Sequence, residues 1–296
     1  MIDLNFNFDF FNNEYFFYER LIILFFALVP TLMLVSFVLR SDKKSKEPSK
    51  NIIICLLSGI LTISLAQFFE RLVMPYFQNN IVLTFVWAAI EELSKISIFY
   101  LFLYDNKYYD DIYDGIVYMA LIALSFAGLE NIMYAFSEST VQNSISLAIM
   151  RDFTTIPLHV ICGIVIGYFL SLGNFSKEKD KKYKNFALAF VIPSLIHGVY
   201  NNLMSFLGSI NVDNNNSFMV MMFVVIPLLS IMVGLFYIVF KTLKSVITLN
   251  RCFIKNKKYD DNFSYLMNYN EYLVSNNRNK RIELYNKFGS KRKEKN

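Results

Sequence analysis

The sequence predicts an all-α fold: a polytopic membrane helix bundle of about seven transmembrane helices, N-terminus outside and C-terminus cytoplasmic. Three observations predict it. The 296 residues are 55% apolar and only 18% charged, where a soluble domain carries about 25% charge. The apolar residues run in blocks near the ~20 that a helix needs to cross a bilayer core. The basic residues gather in alternate connecting segments, which orients the blocks. Mean hydropathy is +0.37, which excludes a disordered chain and argues against a soluble enzyme.

The spans fall at 21–39, 52–69, 81–103, 112–136, 155–173, 185–207 and 218–240. Pro30, Pro157, Pro193 and Pro227 lie within or at the ends of spans, where neighbouring helices satisfy the backbone groups that proline frees. The first loop holds Arg40, Lys43, Lys44, Lys46 and Lys50, and the fifth holds Lys177, Lys179, Lys181, Lys182 and Lys184. The second, fourth and sixth loops hold only Arg71 and Arg151. The excess of basic loops marks the cytoplasmic side. The third loop, with Asp105, Lys107, Asp110 and Asp111, is the exception.

The net charge of +5 therefore serves topology, and no nucleic acid is expected as a partner. Cys55, Cys162 and Cys252 are widely spaced, which suits neither a disulfide framework nor a thiolate metal site. The first twenty residues hold four acids and one base, Arg20, so no cleavable signal peptide is expected. Three regions follow: an aromatic extracytoplasmic segment at 1–20, a transmembrane core at 21–247 and a basic cytoplasmic tail at 248–296. Rings at the membrane surface account for the first, and attraction to anionic lipid for the last.

Ionisable groups sit where the bilayer penalises them. A charged residue at a helix centre costs about 2.5–3.5 kcal/mol on the insertion scale. The third span nevertheless carries Glu91, Glu92 and Lys95, and the fourth carries Glu130 and Asn131. Both histidines of the chain, His159 and His197, lie in spans, with Asn201 one turn after His197. Glu91 and Lys95 are i,i+4, and Glu92 and Lys95 are i,i+3, so both pairs can meet on one face. At 1.5 Å per residue these groups lie roughly 6–15 Å below the outer ends of four helices. One buried site would bring them to such a common depth. Lys95 reads as the partner that keeps one glutamate charged, Asp114-Gly115 as a helix start, and Cys162 as a small core residue.

The same residues resemble the PrsW family of intramembrane proteases. Glu91-Glu92-Leu93-Ser94-Lys95 looks like its EExxK motif. Asp114-Gly115-Ile116-Val117-Tyr118 and Phe126-Ala127-Gly128-Leu129-Glu130-Asn131 look like its DGxVYG and FxxxEN segments, with Met119 where the family usually has Gly. His159 with Gly163 and Gly167 resembles the third motif, and His197-Gly198-Val199-Tyr200-Asn201 the fourth, HGxYN. Asp42 with Glu47-Pro48 resembles the D…EP loop. The similarity covers residues 21–207 in order. The related CAAX prenyl endopeptidases fit less well: Lys95 stands one position short of their Arg, and Glu130 stands where FxxxH needs His.

The resemblance implies a protease of the bacterial cell membrane. It would make a first cut in a single-pass membrane protein such as an anti-sigma factor, near the outer face of the lipid bilayer. Two chemistries suit the residues. In one, Glu130, His159 and His197 hold a metal, zinc by ligand type, while Glu91 or Glu92 serves as base and Asn201 holds the substrate carbonyl. In the other, no metal is used: His197 and Asn201 stabilise the oxyanion, and His159 orients the water with Glu130. A small-solute or proton transporter would place similar groups in spans, but the chain lacks the inverted repeat and broken helix pair common in transporters. A non-catalytic scaffold would not be expected to need both glutamates and both histidines.

Overall fold

A computed structural model describes residues 16–41, 47–77, 79–176 and 178–209, together with residues 226, 230, 233, 234, 237 and 241. Among the described residues the only regular structure is helical. The helices are α1 (Phe17–Ser41), α2 (Ser49–Val73), α3 (Asn80–Phe102), α4 (Ile112–Ser137), α5 (Val141–Phe153), α6 (Thr155–Asn174) and α7 (Lys179–Ser209). The first six expected spans coincide with α1, α2, α3, α4, α6 and α7. The seventh, 218–240, lies outside the described residues apart from Ile226, Ser230, Val233, Gly234 and Tyr237, which are helical. The 1–15 part of the aromatic segment, Asp42 and the 248–296 tail also lie outside them.

Among the described residues, five stretches are long and apolar enough to cross a membrane: Phe17–Ser41, Ser49–Tyr76, Ile112–Ser137, Val141–Asn174 and Lys179–Leu207. The 23-residue α3 is long enough too, but Glu91, Glu92 and Lys95 interrupt its apolar character. The charges that build the site are thus the ones that weaken the membrane signal of the helix carrying them. The fourth connecting segment, read from sequence as a loop, forms α5.

Side chains start these helices where the backbone lacks partners. Asn79 Oδ1 accepts from the amides of Ile81 (2.9 Å) and Val82 (3.3 Å) at the head of α3. Asp111 caps α4, accepting from Tyr113 N (2.6 Å) and Asp114 N (3.0 Å). Asp114 closes the capping box by accepting from Asp111 N at 2.8 Å, so the helix-start reading of Asp114-Gly115 holds. Thr140 Oγ1 caps α5 through Asn143 N.

The bundle is built around α4, which packs against α1, α2, α5 and α6 and is buried along most of its length. Leu32, Met33, Ile53, Leu57 and Leu101, by contrast, are more than half exposed, as an apolar surface facing lipid requires. The α4–α6 contact depends on glycine. A Cβ on Gly163 would stand 2.7 Å from both Met119 O and the Ala123 side chain, and one on Gly167 would meet the backbone of Gly115. Small residues let membrane helices approach this closely. Gly163→Val is expected to destabilise the bundle by about 1–3 kcal/mol through overpacking; a denaturant titration in detergent that matches wild type would refute this contact.

Two pins align α6 with α7. Tyr200 OH bonds Thr154 Oγ1 (3.0 Å) and Thr155 Oγ1 (2.8 Å), and Cys162 Sγ donates to Pro193 O at 3.7 Å. Cys162 is thereby a buried core residue, as expected. At another point of the bundle Glu47, beside Pro48, accepts from Tyr118 OH. Asn51 donates to the same hydroxyl at 2.8 Å, and Asn106 donates to Asn51 at 3.0 Å. These bonds join the loops before α2 and after α3 to the body of α4.

Candidate active site

The polar residues of α3, α4, α6 and α7 converge. Glu91, Glu92, His159 and His197 each bring one donor atom into a group whose members all lie within 4.8 Å of one another, and all four are buried. Helical spacing puts Lys95 on the same side of α3, where Nζ donates to Glu92 Oε1 at 2.8 Å; both side chains are fully buried. Lys95 is therefore the ion-pair partner of Glu92, as its spacing suggested. Nζ also lies 4.5 Å from the centroid of the Phe126 ring, which stands edge-on to His159.

The hydrogen bonds settle which imidazole nitrogen carries the proton. Lys95 Nζ is 3.0 Å from His159 Nδ1. An ammonium can only donate, so Nδ1 accepts and the proton of the neutral ring resides on Nε2. That Nε2–H donates to Glu130 Oε2 at 3.1 Å. His197 has the opposite arrangement: Nδ1 donates to Glu92 Oε1 at 2.8 Å, so in the neutral ring Nε2 is the lone-pair nitrogen, 3.8 Å from Glu91 Oε2. The two rings meet edge to face with centroids 4.8 Å apart.

Two buried oxygens of the group have no hydrogen-bond partner among the described residues: Glu91 Oε2 and Glu92 Oε2. They belong, with His197, to the same buried cluster, where Glu91 Oε2 lies 3.8 Å from His197 Nε2. His159 Nδ1 faces the Lys95 ammonium and would join them only with that ammonium withdrawn to Glu92. Imidazole nitrogen and carboxylate oxygen are the donors that zinc takes in catalytic sites, so the residues fit such an ion. A second acidic group, Asp110, Asp111 and Asp114, is accounted for by the start of α4.

Glu130, expected among the metal ligands, stands between α5 and α6. Its Oε2 accepts from Arg151 Nη2 at 2.7 Å as well as from His159. Asn131 Nδ2 bonds Asp152 Oδ1 (3.1 Å), Ala27 O (3.3 Å) and Ala148 O (3.5 Å), tying α4 to α1 and α5. Asn201 is half-buried one turn after His197. Its neighbour Asn202 bonds Gly198 O at 2.9 Å and Ile81 O at 3.3 Å. Sequence reasoning passed over Arg151 as a loop charge. It is the one Lys or Arg between Lys107 and Lys177, and Ser144, Ala148 and Arg151 form the buried face of α5; that spacing was the available signal.

The model of the PrsW family of intramembrane metalloproteases matches residues 47–232. Protease PrsW of Oceanobacillus iheyensis is 33% identical over 178 residues, 59% of this chain and 79% of the relative. That of Clostridioides difficile is 32% identical over 181 residues, 59% and 76% of the two chains. That of Bacillus subtilis is 27% identical over 188 residues, 62% and 83%. No solved structure matches.

Proposed function

Because this chain belongs to the PrsW family, and so is an intramembrane protease of the bacterial membrane acting on a membrane protein, we propose that Glu91 is its general base. One observation carries the reading: Glu91 Oε2 is buried, unpartnered and directed at the lone-pair nitrogen of His197. Glu92 is held by Lys95 and His197 through Oε1. In this scheme Glu91 Oε2 takes a proton from the attacking water and returns it to the leaving amine. Asn201 donates its amide to the scissile carbonyl. Lys95 keeps Glu92 ionised, and Glu92 fixes His197 with Nε2 toward the reacting water. His159, His197 and Glu92 would hold a zinc ion, which when bound acidifies water and polarises a carbonyl. Glu130 orients His159 in place of the ligand role expected from sequence, and Asn131 supports α4.

The proposed topology keeps seven spans with the N-terminus outside, the 21–247 core and the cytoplasmic 248–296 tail. The site then opens toward the outer face, and the substrate is a single-pass protein of the anti-sigma factor type. Metal analysis by mass spectrometry on detergent-purified protein tests the chemistry. About one zinc per chain is expected in wild type and in Glu91→Gln, and none in His159→Ala/His197→Ala. Wild type that still cleaves a purified anti-sigma factor after chelation would remove the metal and leave the base in place.

A further inference from the structure

We propose that Arg151 is a positioning residue of this site, acting through Glu130 on the ring of His159. Arg151 ends the buried face of α5, a helix that contributes no member to the Glu91, Glu92, His159 and His197 group. Its guanidinium carbon sits 4.1 Å from the centroid of the Tyr134 ring, one helical turn after Glu130 on α4. Nη2 holds Glu130 Oε2 at 2.7 Å, and that same oxygen receives His159 Nε2–H at 3.1 Å.

A chain of opposite polarity thus enters the bundle from α5: Arg151, Glu130, His159, Lys95, Glu92, His197. Each imidazole in it gives its N–H to a carboxylate, His159 to Glu130 and His197 to Glu92. Carboxylates in this arrangement fix the tautomer and orientation of a functional histidine. Lys95 supplies the cation that steadies Glu92, and Arg151 supplies the one that steadies Glu130. Without Arg151, Glu130 has no cation bonded to it in a segment where an uncompensated carboxylate is costly, and His159 loses its fixed acceptor. The neighbouring Asn131–Asp152 bond holds α5 against α4 at this point. The inference takes its catalytic meaning from the site proposed above, but the measurement that tests it does not depend on that site's activity.

The chain contains two histidines, so selective ¹⁵N-histidine labelling of the full protein in detergent yields two imidazoles, told apart by a His197→Gln sample. Wild type is expected to show His159 as the Nε2–H tautomer and His197 as the Nδ1–H tautomer. Arg151→Met should keep the Nε2–H tautomer, which Lys95 fixes through Nδ1, but move the His159 Nε2–H proton resonance upfield and speed its exchange with solvent, while the His197 signals stay put. Arg151→Lys should retain the wild-type His159 signature, because the contact is monodentate: Nη2 alone bonds Glu130, and Nε is unpartnered. Asp152→Asn alters the adjoining α4–α5 bond without touching Glu130, and should leave both histidines unchanged. A folded Arg151→Met protein whose His159 Nε2–H resonance and exchange match wild type overturns the proposal. If Arg151→Met does not fold, a folded Arg151→Lys protein that has lost the Nε2–H signature overturns it equally.

Discussion

Glu91→Gln is expected to lower substrate cleavage by about 10²–10⁴-fold, the usual contribution of a general base, with little change in stability. The two effects separate because of the local geometry. Glu91 Oε2 makes no hydrogen bond that the amide would break, and Gln keeps the volume of the side chain. Glu91 is also absent from the ion pair that organises the cluster, which runs from Lys95 to Glu92 and on to His197. The check is a single-turnover assay in proteoliposomes against a purified single-pass anti-sigma factor, beside a denaturant titration of both proteins. Cleavage within a factor of ten of wild type would show that another group takes the proton. A large loss of stability would show that Glu91 is instead part of the framework.

Lys95→Met is expected to do the reverse first and destroy the framework. Lys95 and Glu92 are fully buried and 2.8 Å apart, and the same ammonium supplies the hydrogen bond to His159 Nδ1. Removing one partner of a buried pair leaves an uncompensated charge and costs about 3–5 kcal/mol. The double variant Lys95→Met/Glu92→Gln removes both charges and is expected to recover much of that loss, since a neutral buried pair has no ion to desolvate. Neither protein should cleave. Unfolding free energies from denaturant titration give the comparison directly. A Lys95→Met protein within 1 kcal/mol of wild type would mean that Glu92 is uncharged in the folded bundle, and the polarity of the whole chain would need to be reassigned.

Much of the site was legible in the sequence because hydrocarbon is an unforgiving solvent. Glu91, Glu92, Lys95, Glu130, His159 and His197 stand out against apolar spans, and the four helices that carry them could be told from the spacing of polar loops. Within α3, helical geometry alone paired Lys95 with a neighbouring glutamate. It left open which one, because i,i+3 and i,i+4 positions lie on the same face. Only packing against α6 and α7 decided for Glu92, by bringing His197 Nδ1 and Lys95 Nζ to one oxygen.

The sequence by itself determined the all-helical, membrane-embedded class and the residues available for chemistry. Both follow from local properties: hydropathy over about twenty residues, and the cost of a charge inside them. Tertiary structure alone decided what each residue is tied to. Glu130 stood out as a carboxylate at the depth of the histidines, and the folding of the segment after α4 into α5 delivers Arg151 to it. Asn131 follows it in the same motif, and its amide bonds to α1 and α5. The proton positions on His159 and His197 were beyond any sequence pattern. An imidazole has two equivalent choices until a neighbour from another helix, here an ammonium for one ring and a carboxylate for the other, removes one of them.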